Sequence, residues 1–206
     1  MPKTLTVQTY SLAELKEAHP EAYERVHERW KEGQSGDIPW SEETMDSLKA
    51  VVKACGGRLT DWSIGAYAQS HCSVSVDDED GDTGKPKDAR WFRREVLKPN
   101  GYIRANGHPY FPGNCAFTGY CADDTFLEAA YKALQEGETL TEALEGLADV
   151  AREMMEADLE QAESEESMEA NWGDNRYLED GEEAPNGYRS LTQATFTNHE
   201  HKKDSP

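Results

Sequence analysis

Residues 139–170 read TLTEALEGLADVAREMMEADLEQAESEESMEA. Thr139 and Glu142 have the T-x-x-E spacing of a capping box, in which each side chain takes a backbone N–H that the first helical turn leaves unpaired. Leu140, Leu144, Leu147, Ala151, Met154, Met155, Leu159 and Ala162 then recur at steps of three and four, the apolar stripe of a helix packed along one side. The pattern predicts one long helix over 139–170. Its other side is acidic: Glu153, Glu156, Asp158, Glu160, Glu163, Glu165, Glu166 and Glu169 follow one another with no Lys or Arg between them. The i,i+4 ion pairs of an ordinary surface helix are not expected there. The carboxylates face either water, as a solvated face that keeps the chain soluble, or a partner.

This stretch dominates the charge of the chain. Its 206 residues carry 41 acidic and 21 basic side chains, a net charge of −20, and residues 133–185 hold 18 of the acids against Arg152 and Arg176 alone. Such a field repels phosphate and anionic lipid and attracts basic protein surfaces. The expected partner is a basic protein or ribonucleoprotein complex, with no direct contact to nucleic acid and none to a membrane. The start of the chain, Met1-Pro2-Lys3-Thr4-Leu5, lacks the apolar core of a secretion signal, and no run of 18 apolar residues occurs. These features predict a cytoplasmic protein, and the scattered Cys55, Cys72, Cys115 and Cys121 suit reduced thiols.

Working outward, Lys3 to Tyr10 alternates as a strand does, and Ser11 with Glu14 forms a second capping box. Pro20 suits the first turn of a further helix, whose apolar face is Tyr23, Val26, His27 and Trp30. Ser41 opens a third helix striped by Met45, Leu48, Val51, Val52 and Cys55. Leu59–Ile64 and Cys72–Val76 read as a paired hairpin, and residues 87–97 as a short basic helix with Trp91, Phe92, Arg93 and Arg94. Asn106-Gly107 signals a type I′ hairpin turn, and Cys115–Cys121 a further strand. Asp123 or Asp124 caps a helix ending at Gly137, which forms an antiparallel helical hairpin, 124–170, with the acidic helix. Together these predict an α+β fold: an antiparallel sheet of about five short strands, helices on one face, and a long acidic C-terminal helix, in a single domain over 1–181 followed by a flexible tail, 182–206.

Chemistry-bearing motifs are sparse. The acidic loop at 77–85 fits no EF-hand register, because a glycine at position six leaves Val76 or Gly81 at a ligand position. His71, Cys72, His108, Cys115 and Cys121 supply thiols and imidazoles without the close C-x-x-C spacing of zinc sites. They leave a metal site, a Cys–His nucleophile and plain buried thiols all open. No cofactor motif occurs: neither a Walker loop nor G-x-G-x-x-G after a strand.

Thr9–Leu15 (TYSLAEL), Asn106–Phe111 (NGHPYF) with Gly113-Asn114-Cys115, and Asn175–Gly181 (NRYLEDG) resemble, in order and spacing, a family of small acidic bacteriophage and prophage proteins named by analogy "antitoxin of toxin–antitoxin stability system". The chain departs from that pattern over Gly65–His71, where the family is richer in glycine. The resemblance implies an accessory phage protein with no catalytic residues to carry over. Joined to the charge, it leads to the expectation of a non-enzymatic inhibitor. Such a protein binds a basic, nucleic-acid-handling host defence complex, a CRISPR effector or a nuclease, and its eight clustered carboxylates imitate duplex phosphates, about 5–6 Å apart at i,i+3 and i,i+4. An antitoxin for a basic toxin and an enzyme built on the Cys/His set are the alternatives.

Overall fold

The structure is a computed structural model describing residues 4–34, 41–65, 70–76, 86–113, 116–120, 122–184 and 193–197. The chain divides into two compact units, Met1–Asp37 with Glu160–Pro206, and Ile38–Leu159. The chain ends thus build one unit, and the middle builds the other.

In the first unit, β1 (Thr4–Gln8) leads into α1 (Leu12–Ala18) and α2 (Pro20–Gln34). The Ser11/Glu14 capping box forms as expected: Glu14 N–H donates to Ser11 Oγ at 3.2 Å and Ser11 N–H to Glu14 Oε2 at 2.7 Å. Leu12, Leu15, Tyr23, Val26 and Trp30 from these helices bury against Met168 and Tyr177 from the far end of the chain. Tyr10 and Tyr177 exchange backbone hydrogen bonds at 2.8 Å. β4 (Gln193–Thr197), from the segment read as a tail, pairs antiparallel with β1.

The second unit holds α3 (Ser41–Ala54), the antiparallel pair β2 (Gly57–Ser63) and β3 (His71–Val76), the short α4 (Ala89–Phe92) running into a π-helical turn (Arg93–Leu97), and α5 (Ala122–Glu136). α6 (Leu140–Glu145) and most of α7 (Leu147–Ala162) complete it. Its core packs Leu48, Val51, Val52, Cys55, Phe92, Val96, Leu97, Phe126, Leu127, Leu144 and Leu147. The stripe predicted on α3 forms one wall, and Phe126, Leu127, Ala130 and Leu134 of α5 form another.

Two expectations are overturned. The sheet of about five strands is absent: the described residues form two separate two-stranded sheets. The reasons are local. On β3, the Val74 N–H donates to Glu145 Oε1 of α6 at 3.1 Å, so a group that would bond a third strand is taken. The arms around Asn106-Gly107 make one isolated bridge, Ile103 to Pro109, because Pro109 has no N–H to extend a ladder. Residues 116–120, expected to be strand, are turns whose N–H groups bond to a side chain, described below. The Asn106-Gly107 turn itself sits one residue away from the type I′ register. Gly107 N–H donates to Arg104 C=O at 2.8 Å, so Gly107, at φ +81°, is the fourth residue of the turn.

The single long acidic helix is likewise replaced by three: α6, α7 and α8 (Glu165–Trp172). The Thr139/Glu142 capping box does start α6. Gly146 interrupts the helix once, and Ser164 again. Ser164 leaves the helical conformation and its Oγ accepts the Ser167 N–H at 3.1 Å, an N-cap for α8.

Candidate functional site

The acidic run is divided between the two units within α7, between Leu159 and Glu160. Glu153, Glu156 and Asp158 stay with the second unit, and Glu160, Glu163, Glu165, Glu166 and Glu169 belong to the first. The turn that carries Glu163 is held by the last carbonyls of α7, which a helix leaves unpaired. Trp30 Nε1–H donates to Ala162 C=O at 2.8 Å. His27 Nε2 lies 2.8 Å from Glu163 C=O and must be the donor, since a carbonyl can only accept. Trp30 and Trp172 meet edge to face at 5.1 Å, and Met168 is buried, so α8 is fixed on one side and presents its acids on the other.

The carboxylates differ in what they do. Glu165 is ion-paired with Lys16 of α1; the hydrogen bond from that ammonium holds the Glu165 carboxyl below its usual range and raises Lys16. The Tyr23 hydroxyl sits beside this pair, pushed up first by burial and then by the Glu165 charge. Glu160, Glu166 and Glu169 are exposed and Glu163 is half-buried. None of the four side chains has an ion pair among the described residues. In the second unit Arg152 grips Glu156 through two hydrogen bonds, 2.8 and 2.9 Å, and lies 3.9 Å from Glu153. The expected absence of i,i+4 pairing therefore fails at Arg152–Glu156, one residue before the acidic run. Asp158 is half-buried with Oδ2 shielded and without a donor, and burial pushes its carboxyl up.

Over the full sequence the two units carry equal net charge, −10 each, but in the first unit the described residues are the more one-sided. Its residues 4–34 and 160–184 carry sixteen carboxylate side chains against five Lys and Arg. Each of those five is already engaged: Lys16 with Glu165, Arg25 with Asp180 C=O, Arg29 with Gly181 C=O and Glu182, Lys31 with Glu28, and Arg176 with Glu14 and Thr9 C=O. No described Lys or Arg of this unit forms an ion pair with Glu160, Glu163, Glu166 or Glu169. Lys16 and the acidic α2 residues Glu21, Glu24 and Glu28 had no place in the sequence reading of this surface, because they lie over 130 residues away along the chain.

The thiol and imidazole candidates do not assemble. Strand alternation turns Cys72 inward and His71 outward, where His71 Nε2 lies 3.6 Å from Asp61 Oδ2. Cys72 Sγ donates to Glu145 C=O at 3.3 Å, and burial followed by the Glu145 charge pushes its thiol up to about 11. Cys55 is buried on α3 and pushed up to about 12 by burial. His108 is exposed at the hairpin turn. Cys115, Cys121 and the acidic loop 77–85 lie outside the described residues. Among the described residues no group of three or more His, Cys, Asp or Glu has metal-holding geometry, and no helix is long and apolar enough to cross a membrane.

The second unit also contains a buried carboxylate pair at the start of α5. Asp123 and Asp124, 0% and 5% exposed, occupy the first turn and bond outward instead of capping their own helix. Asp123 Oδ2 accepts the N–H groups of Phe117 and Thr118 at 2.8 and 2.9 Å, and Oδ1 accepts the Thr118 hydroxyl at 3.1 Å. Thr118 in turn contacts Ser47 Oγ at 2.9 Å. Asp124 Oδ2 accepts the Gly113 N–H, and Tyr102 leans on the same carboxylate, its phenol raised by burial first and that hydrogen bond second. The helix N-terminus favours negative charge here. These bonds tie the start of α5 to Gly113 and to the turn residues 117 and 118.

No protein-family model matches this chain, and comparisons with curated proteins and with solved structures bring up no match.

Proposed function

We propose that the protein is a non-enzymatic interaction protein whose acidic first unit docks on a basic, nucleic-acid-handling protein, with Glu160, Glu163, Glu166 and Glu169 standing in for backbone phosphates. One observation carries the reading: these four carboxylates have no ion pair in a unit whose described Lys and Arg residues are all otherwise committed. On α8, Glu166 and Glu169 are three residues apart, a separation of about 5–6 Å on a helix. Uncompensated charge at fixed spacing speeds encounter with a positive groove and sets its register. Glu165 contributes less, being paired with Lys16; Glu153, Glu156 and Asp158 belong to the other unit. A host CRISPR effector or nuclease fits this chemistry, in line with the resemblance to phage proteins.

The test replaces Glu160, Glu163, Glu166 and Glu169 together by Gln, which keeps size and helix propensity. Tagged wild-type protein is expected to capture a basic nucleic-acid-binding protein from host lysate at 50 mM NaCl, with duplex DNA competing. The quadruple variant is expected to lose that capture, and 300 mM NaCl to weaken it steeply. Equal capture by wild type and variant, or a captured partner that DNA does not displace, defeats the reading. A captured toxin of no nucleic-acid function assigns the surface to antitoxin activity instead.

A further inference from the structure

Within an acidic protein, the second unit carries one concentrated positive surface. It is built by the π-helical turn. Phe92, Val96 and Leu97 are buried, which turns Arg90, Arg93, Arg94 and Lys98 outward. Lys98 N–H donates to Arg93 C=O, five residues back, and the wider turn brings Lys98 into line behind Arg93, with Arg90 one α-turn ahead. The Arg93 guanidinium donates to Gly107 C=O and so joins the stripe to the 102–110 hairpin. That hairpin adds Arg104, whose guanidinium stacks 3.9 Å over the ring of Tyr110, a side chain 41% exposed.

Carboxylates do not cancel this charge. Asp88 caps α4 by accepting the N–H groups of Arg90 and Trp91, and Glu95 pairs with Arg94. Arg90, Lys98 and Arg104 have no ion pair among the described residues. Lys87 stands apart, over the Trp91 ring at 5.4 Å and beside Cys55.

We infer that this surface binds single-stranded nucleic acid: Arg90, Lys98 and Arg104 hold successive phosphates and a base stacks on the Arg104–Tyr110 pair. Cations along a backbone track with an exposed aromatic at one end is the arrangement by which sequence-tolerant single-strand binders work. It places direct nucleic-acid contact on this chain, against the expectation from net charge, because Arg90, Lys98 and Arg104 have no carboxylate paired with them among the described residues. Self-association through the acidic unit of a second copy is the rival use of the same charge. A contact between two different surfaces would propagate into open chains.

The probe is a 5′-fluorescein-labelled dT12 oligonucleotide, titrated with full-length protein and followed by anisotropy. Saturable binding is expected in 50 mM NaCl with Kd at or below about 10⁻⁴ M, weakening about 20-fold by 200 mM NaCl if three phosphates are neutralised on a single strand. Arg90→Gln/Lys98→Gln/Arg104→Gln is expected to weaken binding at least tenfold and Tyr110→Ala about tenfold, while Lys132→Gln on α5 leaves it unchanged. Circular dichroism confirms that each variant is folded. The four Glu→Gln changes of the first unit are expected to preserve or tighten dT12 binding, so this result stands or falls apart from the partner-capture test. Absence of dT12 binding, or equal binding by the triple variant, overturns the inference. Low-salt oligomers that the triple variant abolishes, without dT12 binding, overturn it in favour of self-association.

Discussion

Replacing Asp123 by Ala tests how this protein builds structure where the sequence suggested a strand. The carboxylate is fully buried and accepts three hydrogen bonds, from Phe117 N–H, Thr118 N–H and Thr118 Oγ1. Bonds to a charged acceptor are worth about 1.5–3 kcal/mol each, so the gross loss over three bonds is about 4.5–9 kcal/mol. Two terms reduce it. The Ala variant no longer desolvates a carboxylate, and Thr118 is exposed enough for water to replace part of what its donors lose. The net expected destabilisation is about 2–3 kcal/mol, carried by the second unit. Asp123→Asn keeps one acceptor oxygen and turns an NH2 group toward donors, so it is expected to fall between wild type and Ala. Thr118→Val removes one hydroxyl from the network and is expected to cost about 1 kcal/mol. Urea unfolding followed by circular dichroism gives the loss. Amide exchange of Phe117 and Thr118, accelerated in Asp123→Ala beyond the global change, locates it. A loss below about 0.5 kcal/mol, within the usual range of surface substitutions, with unchanged exchange at these two amides, would refute the idea that the side chain organises the turn at Phe117 and Thr118.

Two further outcomes follow from burial. With its thiol at about 11, Cys72 is thiolate to about one part in a thousand at pH 8, against roughly a quarter for an ordinary cysteine. In a Cys55→Ser/Cys115→Ser/Cys121→Ser background, Ellman's reagent is expected to react about 100-fold more slowly with folded than with urea-unfolded protein; rates within threefold of each other contradict the buried thiol. Asp158 has its carboxyl raised in the folded state, so the fold binds this proton more tightly than the unfolded chain does and stability falls as pH rises through the native titration. Asp158→Asn is therefore expected to stabilise the protein at pH 7 by about 0.5 kcal/mol, a figure reduced for partial exposure, and to give little at pH 3; a variant less stable at pH 7 than wild type would show that the shielded Oδ2 has a donor.

The local signals were legible for a simple reason: they depend on neighbours within four residues. Ser11/Glu14 and Thr139/Glu142 form their capping boxes because each box closes within one turn. The stripe Leu48, Val51, Val52 and Cys55 buries as its spacing requires. Alternation places Cys72 and Val74 inward on β3. Ser164 was readable too, as a serine followed by two glutamates at a helix start, but no Gly or Pro stands between 147 and 172 to mark the break. The candidate carboxylates could be counted in the sequence, but not their partners. Lys16 reaches Glu165 across 149 positions, and the difference between a neutralised and an open carboxylate lies in such contacts.

The amino-acid sequence by itself determined where most helices begin, which faces they bury and that the chain carries a large negative charge. The tertiary structure alone decided how that charge is shared, because joining residues 4–34 to 160–184 collects sixteen acids around five committed cations and leaves the arginines of the π-helical turn in the other unit. It also decided that the strands stop at pairs among the described residues, since a carboxylate from α6 takes an N–H of β3 and Pro109 offers none. Short-range hydrogen bonds and periodicity are written into adjacent residues; strand partners and ion pairs are chosen by packing between segments far apart in the chain, for which a single sequence holds no local mark.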